Sequence, residues 1–282
     1  MKLGVVMDPI ESINFKKDST LAMMLEAQAR EHQLFYMTPN SLYLNENGAN
    51  ALANTITVKN DPMGWFEFNE EKQIRLSELD VILMRQDPPF NSNFIYNTYV
   101  LESAEKEGVL VINKPASLRD CNEKVFATEF PECCTPFLVS SEASLLKSFI
   151  EDHKDTVIKP LDGMGGSSIF RLRNTDPNLN VILETITDSF KTKVMIQTYI
   201  PEITDGDKRV LLINGMPMNA SVARVPAAGE LRGNLAAGAS AVARSLTEKD
   251  LWICEQVGPK LKDLGLVLVG LDIIGDYLTE IN

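Results

Sequence analysis

The segment TVIKPLDGMGGSSIFRL, residues 156–172, constrains the fold of this chain more than any other stretch. Three β-branched residues lead into Lys159, and apolar and basic residues alternate again after Ser168. The segment therefore predicts a strand, a loop and a second strand. The loop contains three glycines, Gly163, Gly165 and Gly166. Because glycine has no Cβ and tolerates positive φ, such a loop can present consecutive backbone N–H groups to an anion.

The spacing of these glycines differs from that of the familiar phosphate-binding motifs. A Walker loop needs Gly-Lys-Ser/Thr leading into a helix, and a dinucleotide fingerprint needs Gly-x-Gly-x-x-Gly leading into a helix. The segment has neither. On this segment alone, a glycine-rich hairpin turn that binds nothing is the alternative interpretation. Other parts of the sequence are needed to distinguish an anion-binding loop from a simple turn.

Length and charge limit the classes of protein to which the chain can belong. Its 282 residues predict about two domains, with 44% hydrophobic residues to fill their cores. A net charge of −12 argues against nucleic acid or an anionic membrane as a partner, since proteins that bind them carry a basic face. The longest apolar run, residues 265–275, is too short to span a bilayer, and the five apolar residues after Lys2 are too few for a signal sequence. We therefore expect a cytoplasmic protein.

The cysteines offer little for metal or redox chemistry. They are Cys121, Cys133, Cys134 and Cys254. No Cys-x-x-Cys pair occurs and the chain has only two histidines, so neither a zinc site nor a Cys/His nucleophile pair is expected. The adjacent Cys133 and Cys134 leave a reactive pair open as an alternative. We predict reduced, partly buried thiols, as is usual in a reducing compartment.

The first part of the chain has the alternating pattern of an α/β domain. Residues 2–7 predict a strand, Asp18 can cap the helix that follows, and residues 34–37 predict the next strand. This β-α-β order implies parallel strands joined by a right-handed crossover. Residues 42–68 predict an inserted hairpin with a further short strand. The predicted domain comprises residues 1–122.

Arg85 follows a strand predicted over residues 79–84 and precedes two prolines. Ligands gather at the carboxyl ends of strands in open α/β sheets, which makes Arg85 a candidate for a substrate carboxylate. A solvated ion pair with Asp87 is an equally good interpretation from the sequence.

Shorter elements follow the first domain. A strand, a helix capped by Ser140 or Ser141, the glycine hairpin and a strand at residues 193–199 predict a small lid domain, residues 123–200. Residues 201–282 are the predicted last domain.

The last domain begins with a hairpin and a long loop. Asn214-Gly215 predicts the hairpin, because this pair supplies both positive-φ positions of a type I′ turn. Residues 225–240 have almost no side chain to bury, which is typical of a functional lid or of disorder. Arg232 and Asn234 are the side chains in this loop that can grip an anion. A capping pair, Thr247 and Asp250, predicts the start of the helix beyond it.

The end of the chain carries polar residues in an apolar background. Residues 266–274 and 277–282 predict two strands. Three polar residues lie within them, Asp272, Glu280 and Asn282. Because side chains alternate along a strand, Asp272 shares a face with the other two only if the turn has an odd number of residues, and we predict a three-residue turn. Three oxygen ligands without histidine fit magnesium. Solvated carboxylates on an exposed hairpin are the alternative.

Several runs of the sequence resemble one known family. A lysine before a small lid, a second lysine followed by a glycine hairpin and a final Asp…Glu-x-Asn pair of strands resemble the ATP-grasp ligases. The runs MDPI, VILMRQDPPF, NKPASLRDCNEK, KPLDGMGGSSIFR, DGDKRVL, RGNLAAG and GLDIIGDYLTEIN resemble bacterial-type glutathione synthetase from end to end. The resemblance implies an α/β protein, α+β in its C-terminal part, with the ATP-grasp fold. Its parts are an N-terminal open parallel α/β domain, a small lid domain and a C-terminal antiparallel-sheet domain.

The resemblance also implies a reaction. Enzymes of this family join γ-glutamylcysteine to glycine with ATP, through an acyl phosphate, and are typically homotetramers. The implied cofactors are ATP and two Mg²⁺ ions, which Mn²⁺ can replace. The implied partners are the two small substrates, with neither nucleic acid nor a membrane.

The residues that match the family motifs divide into four groups. The implied nucleotide-binding residues are Lys124, Lys159, Gly163, Gly165, Gly166, Ser167, Gln197, Tyr199, Ile200 and Asp207. The implied metal ligands are Asp272, Glu280 and Asn282. The implied catalytic residues are Arg209, Arg224 and Arg232. The implied substrate-binding residues are Arg85 and Asn234. No general base stands out, and positioning of the amine is the role that the resemblance allows.

The sequence departs from the family pattern in two places. Ala239, Ser240 and Ala241 follow LAAG, where the family has glycine and arginine. Family members continue past Glu-x-Asn with a Ser-Pro loop and a terminal helix, so the resemblance implies that the sequence ending at Asn282 lacks its C-terminal segment. Two further hypotheses stay open: another ATP-grasp peptide or amino-acid ligase, and a catalytically inactive nucleotide-binding protein.

Overall fold

The computed structural model describes residues 1–163, 166–227 and 238–282. The chain divides into two compact units, Met1–Asp120 and Cys121–Asn282. Each unit has its own sheets and its own hydrophobic cores. Within the described ranges, no helix has both the length and the apolar character needed to cross a membrane.

The first unit contains a mixed sheet and three α-helices. Its strands are β1 (Lys2–Met7), β2 (Gln33–Met37), β3 (Leu42–Asn45), β4 (Gly48–Val58), β5 (Phe66–Arg75), β6 (Val81–Arg85) and β7 (Leu110–Ile112). Its helices are α1 (Ser19–Ala29), α2 (Ser92–Lys106) and α3 (Pro115–Asp120). The strand order is β3-β4-β2-β1-β6-β7, with β5 paired to β4. The predicted hairpin insertion is therefore present, with longer strands than the sequence indicated.

The parallel part of this sheet follows the predicted β-α-β order. β1 pairs in parallel with both β2 and β6, and β6 pairs in parallel with β7. The predicted cap is confirmed, since the Asp18 side chain accepts a hydrogen bond from the Leu21 backbone N–H at 2.6 Å. Two hydrophobic cores pack against the sheet, because its parallel strands are buried on both faces. This arrangement puts Arg85 at the carboxyl end of β6.

In its described residues, the second unit contains two antiparallel sheets and three α-helices. Its strands are β8 (Phe137–Ser140), β9 (Asp155–Pro160), β10 (Phe170–Arg173), β11 (Val194–Thr198), β12 (Asp207–Ile213), β13 (Met216–Val225), β14 (Ser240–Ser245), β15 (Leu268–Ile274) and β16 (Tyr277–Ile281). Its helices are α4 (Ala143–His153), α5 (Leu179–Ile186) and α6 (Glu248–Asp263). The sheet orders are β10-β9-β11-β8 and β14-β13-β12-β15-β16.

Local sequence signals explain several of these elements. Asn214 and Gly215 have φ of 51° and 77°, as the predicted type I′ turn between β12 and β13 requires. Thr247 and Asp250 form a reciprocal capping box at the start of α6. Short 3-10 turns connect other elements, at Ile10–Ser12, Pro39–Ser41, Leu76–Glu78, Phe126–Glu129, Pro131–Cys133 and Pro201–Asp205.

Three features of the second unit differ from the sequence prediction. The N-cap of α4 is Glu142, whose carboxylate accepts from the Ser144 N–H, rather than Ser140 or Ser141. Helix α5 was not predicted, because four of its eight residues are β-branched and disfavour a helix locally. Strand β14 was not predicted. It begins at Ser240, where the predicted loop ended, and pairs with β13.

The turn between β15 and β16 has two residues, so the three-residue prediction was wrong. Ile274 pairs with Tyr277, and the register shifts before Asp272 pairs with Glu280. A β-bulge at Thr279 adds the extra residue that the turn lacks. The Thr279 hydroxyl donates to the Asp272 carbonyl at 3.0 Å. Asp272 thus lies opposite Glu280, as predicted, but by a different backbone route.

Helix α6 touches the turn between β12 and β13 through two glycines. A Cβ at Gly258 would lie 2.3 Å from the carbonyl oxygen of Gly215, and a Cβ at Gly215 would lie 2.6 Å from that of Gly258. Both neighbours are backbone atoms, which cannot rotate away as a side chain does. The helix can therefore approach the sheet this closely only because neither residue has a side chain.

We expect Gly258→Ala to destabilise the second unit by about 1–3 kcal/mol, the usual cost of overpacking a well-packed contact. The measurement is the free energy of unfolding from urea titration followed by circular dichroism. Gly64→Ala is the matched control, because a Cβ at Gly64 would meet nothing within 4 Å. A Gly258→Ala protein as stable as the control would show that the helix moves aside at no cost.

Candidate functional site

Two buried lysines meet one carboxylate in the second unit. Lys159 lies on β9 and Lys124 in the segment before the Phe126–Glu129 turn, and they are 5% and 2% exposed. Their Nζ atoms are 3.3 Å and 3.6 Å from the Glu280 Oε1 atom on β16. Glu123 is also in ion-pair contact with Lys124. Burial and the nearby Glu280 charge raise the pKa of the Glu123 carboxyl.

The start of the glycine loop lies beside Lys124. The Lys124 Nζ atom donates to the Gly163 carbonyl at 2.8 Å. Gly166 has φ of 75°, so one glycine of the loop adopts a conformation that other residues rarely take. Ser167 is exposed. Gly165 lies outside the described residues. Lys124 therefore joins the loop to the β15–β16 hairpin within the second unit.

Two arginines neutralise the second carboxylate of the hairpin. Arg209 donates through Nε and Nη2 to the two Asp272 carboxylate oxygens, at 2.5 and 2.9 Å. The Arg224 Nη2 atom is 2.8 Å from Asp272 Oδ2 and also contacts Asp207. The Asn282 amide donates to Asp272 Oδ2 at 3.3 Å. Register explains the meeting, since Arg209 is the cross-strand partner of Asp272, and Asp207 is that of Arg224.

These contacts shift the pKa values of Asp272 and Asp207 in opposite directions. Burial would raise the pKa of Asp272, but the guanidinium groups of Arg209 and Arg224 outweigh it and lower that pKa. Burial and the Asp272 charge together raise the pKa of Asp207 to about 7. Asp207 Oδ1 and Arg224 Nε are buried with no hydrogen-bond partner among the described residues. The cluster thus has polar groups left for a ligand.

The predicted adenine-facing residues lie at the end of β11 and just beyond it. Gln197 and Ile200 are each 7% exposed. The Tyr199 ring is covered by the Arg171 guanidinium, whose central carbon is 3.6 Å from the ring centroid. Arg171 is held in turn by both oxygens of Asp155, at 2.7 and 2.6 Å. The hydrogen bonds from Arg171 lower the pKa of Asp155 to about 2.

Sequence reasoning missed this Asp155–Arg171 pair. A signal was present, because the alternation from Phe170 to Arg173 puts two arginines on one face of β10. Both arginines bind Asp155 across the ladder with β9. Two basic residues on one strand face should have prompted a search for an acidic partner on the neighbouring strand.

Arg85, in the first unit, has neutral partners. Its Nε and Nη2 atoms donate to the hydroxyls of Thr20 and Ser19, at 3.1 and 3.2 Å. The ion pairs found among the described residues do not include one between Arg85 and Asp87. Burial lowers the pKa of Arg85, although the Asp87 and Asp18 charges oppose that shift. Among the residues that the structure describes, no carboxylate in ion-pair contact neutralises the charge of this guanidinium.

Two other predicted residues, Arg232 and Asn234, lie outside the described part of the chain. The prediction of reduced thiols is confirmed, since no disulfide joins any of the four cysteines, all of which lie within the described residues. Burial raises the pKa of Cys133 to about 11 and that of Cys134 to about 12. Both thiols are therefore protonated at neutral pH, which makes them poor nucleophiles.

The hairpin residues fit a metal that is shared with another ligand. No three His, Cys, Asp or Glu side chains converge on one point in the described ranges. Asp272 and Glu280 nevertheless face each other, with the Asn282 amide against Asp272. Carboxylate and amide oxygens suit Mg²⁺, which commonly takes one or two carboxylates and completes its shell with water and phosphate.

Comparison with known families covers nearly the whole chain. The family described as prokaryotic glutathione synthetase, N-terminal domain, matches residues 1–119. The family described as prokaryotic glutathione synthetase, ATP-grasp domain, matches residues 123–282.

Curated relatives match over all 282 residues. Proteins named glutathione synthetase from Pseudomonas putida, Vibrio cholerae and Vibrio parahaemolyticus are 58%, 55% and 54% identical to the chain. Each match covers 100% of this chain and 89% of the relative.

Solved structures with little sequence identity share the fold. The D-cycloserine synthetase DcsG aligns with a TM-score of 0.67 at 13% identity, over 99% of this chain and 91% of that one. D-alanyl-alanine synthetase A from Vibrio cholerae aligns with a TM-score of 0.58 at 11% identity, over 100% and 88%. The predicted ATP-grasp fold is confirmed. On the strength of the family matches and the relatives, the chain belongs to the prokaryotic glutathione synthetase family.

Proposed function

We propose that the protein is an ATP-dependent ligase that joins γ-glutamylcysteine to glycine and releases ADP and phosphate. The observation that carries the proposal is the meeting of the glycine loop and the acidic hairpin at Lys124. That lysine hydrogen bonds to Gly163 and lies 3.6 Å from Glu280. The first glycine of the loop and the carboxylate pair are thus within one side chain of each other. This is the arrangement that a triphosphate and its metal require.

Lys124 and Lys159 bind the phosphates as point charges in this proposal. Both ammonium groups lie against Glu280, so a triphosphate competes with that carboxylate for them. In the same proposal, the backbone N–H groups of the glycine loop bind the phosphate oxygens. Gln197, Tyr199 and Ile200 face the adenine, and Asp207 accepts from the ribose hydroxyls.

Asp272, Glu280 and Asn282 are the proposed ligands of two Mg²⁺ ions, for which Mn²⁺ can substitute. When bound, such ions neutralise the charge that develops on the transferred phosphoryl group. Arg209 and Arg224 lie beside the same carboxylates and stabilise that charge from the protein side. Arg232 assists in closing the site, and Arg85 and Asn234 bind the substrates.

The chemistry needs two transfers. The cysteinyl carboxylate of the dipeptide attacks the γ-phosphorus of ATP, which gives an acyl phosphate and ADP. The glycine amine then attacks the acyl carbon, phosphate leaves and the amine loses its proton. Water would hydrolyse the acyl phosphate, so the site has to exclude it. We place this enzyme in the cytoplasm as a homotetramer.

The reaction is tested by measuring phosphate release. We expect release from ATP only when γ-glutamylcysteine and glycine are both present. Lys159→Met should lower kcat/KM for ATP by about 10- to 100-fold, the loss expected for one charge-assisted contact. Lys147→Met, at an exposed position on α4, is the matched control and should retain full activity.

Phosphate release with a different amine, but not with glycine, would support another ATP-grasp ligase instead. Tight ATP binding without phosphate release under any condition would support an inactive nucleotide-binding protein. Full activity of Lys159→Met would remove the proposed role of that lysine.

The raised pKa of Asp207 makes stability depend on pH. The folded protein holds a proton on Asp207 up to about pH 7, whereas an ordinary aspartate with a pKa of 3.8 has lost it. Folding therefore binds a proton in this window, and the contribution of Asp207 to stability falls as the pH rises from about 4 to 7. Asp207→Asn has no proton to lose.

We expect the thermal midpoint of the wild type, minus that of Asp207→Asn, to decrease between pH 5.5 and pH 7.5. Asp205→Asn, at an exposed position two residues away, controls for the change of side chain. A difference that stays constant or increases over this range would contradict the assignment.

A further inference from the structure

Gly270 is a glycine in the middle of a central strand, where glycine is normally unfavourable. It lies on β15 between β12 and β16 and is buried. Its N–H donates to the Asn282 carbonyl at 2.7 Å, and its carbonyl accepts from the Asn282 N–H at 2.8 Å. Its φ is not among the positive values, so the backbone itself does not require glycine. Another reason must explain the missing side chain.

The space above Gly270 is filled by the side chain of Arg209. A Cβ at Gly270 would lie 2.6 Å from Arg209 Cδ, 2.9 Å from Nη1 and 3.1 Å from Nε. The nearest atoms to that Cβ all belong to this one side chain. Arg209 is the cross-strand partner of Asp272, two residues further along β15 and on the same face as Gly270. The arginine therefore crosses Gly270 on its way to Asp272.

We propose that Gly270 is a positioning residue whose absent side chain lets Arg209 reach Asp272 with both nitrogens. This inference rests on the proposed function only where activity is the readout. The two hydrogen bonds at 2.5 and 2.9 Å form a fork that needs the guanidinium plane close to the strand. A methyl group at residue 270 pushes the plane outward, and a fork cannot tilt without losing one of its bonds.

The proposal predicts that stability and function separate. The atoms that an alanine displaces are the far part of a flexible, 36% exposed side chain, and Arg224 still pairs with Asp272, so the fold can accept the methyl group at a small cost. Alanine also loses less backbone entropy than glycine on folding. Gly270→Ala is therefore expected to unfold within a few degrees of the wild type, while its arginine is misplaced.

The test is a double-mutant cycle with kcat and KM for ATP measured on four proteins: wild type, Gly270→Ala, Arg209→Met and the double variant. We expect Gly270→Ala to lower kcat/KM by about 10- to 100-fold, the range for loss of a hydrogen-bonded charged contact. We expect no further loss when Gly270→Ala is added to Arg209→Met, because the glycine then has no arginine to position. Gly64→Ala, which meets nothing, controls for the substitution itself.

A second readout does not depend on activity. The Arg209 Nε–H donates to Asp272, so its ¹H–¹⁵N resonance should be resolved and protected from exchange in the wild type. The resonance is assigned by its absence from Arg209→Lys. It should shift and lose its protection in Gly270→Ala.

The outcomes are distinguishable. An unchanged Nε–H resonance in Gly270→Ala, or losses of the two single variants that multiply in the double variant, would overturn the positioning role. If Arg209→Met keeps full activity, the proposed function of Arg209 is wrong, and the Nε–H resonance alone decides on Gly270.

Discussion

Two carboxylates lie side by side on one hairpin, Asp272 buried and Glu280 partly buried, and much of the second unit is arranged to supply cations to them. Asp272 is 3% exposed and lies opposite Glu280. Uncompensated burial of such charges costs several kcal/mol per ion. Arginines from β12 and β13 neutralise Asp272, while lysines from β9 and from the segment near Glu123 neutralise Glu280. The hairpin therefore draws together strands from both sheets of the unit.

In the proposed function, the carboxylates of this cluster exchange their cationic partners for a bound nucleotide and metal. Each cation now held by a carboxylate is a cation that a phosphate can take, since phosphate oxygens bind lysine and arginine at least as well. Release of Asp272 and Glu280 then leaves oxygens for a divalent metal. In this proposal, protein and ligand charges replace one another, and the negative groups stay neutralised throughout. Burial and the Asp272 charge also raise the pKa of Asp207, so less negative charge in the cluster needs a cation.

Sequence patterns that span only a few neighbouring residues predicted several elements of the fold correctly. The Asn214-Gly215 turn, the Thr247 capping box and the β-α-β opening each follow from local chemistry, and each is present. The face shared by Asp272 and Glu280 was also predicted, but the sequence cannot show the bulge at Thr279, because a turn of three and a turn of two plus a bulge place the same residues together.

Contacts between distant residues were beyond the sequence. The hydroxyls that bind Arg85 come from the start of α1, 65 and 66 positions earlier in the chain. Likewise, the pairing of Asp207 with Arg224 depends on the register of β12 against β13. The residues of the candidate site were predicted from the resemblance to a family. The partners that neutralise them became known only from the structure.

The most direct test of this account is a crystal structure with a non-hydrolysable ATP analogue and Mn²⁺, with the metal located by its anomalous scattering. The account predicts manganese on the oxygens of Asp272 and Glu280, with the phosphates in hydrogen-bond contact with Lys124 and Lys159 and the Arg209 fork released or shared. Manganese bound elsewhere, or a triphosphate that contacts neither lysine while both stay on Glu280, would contradict it.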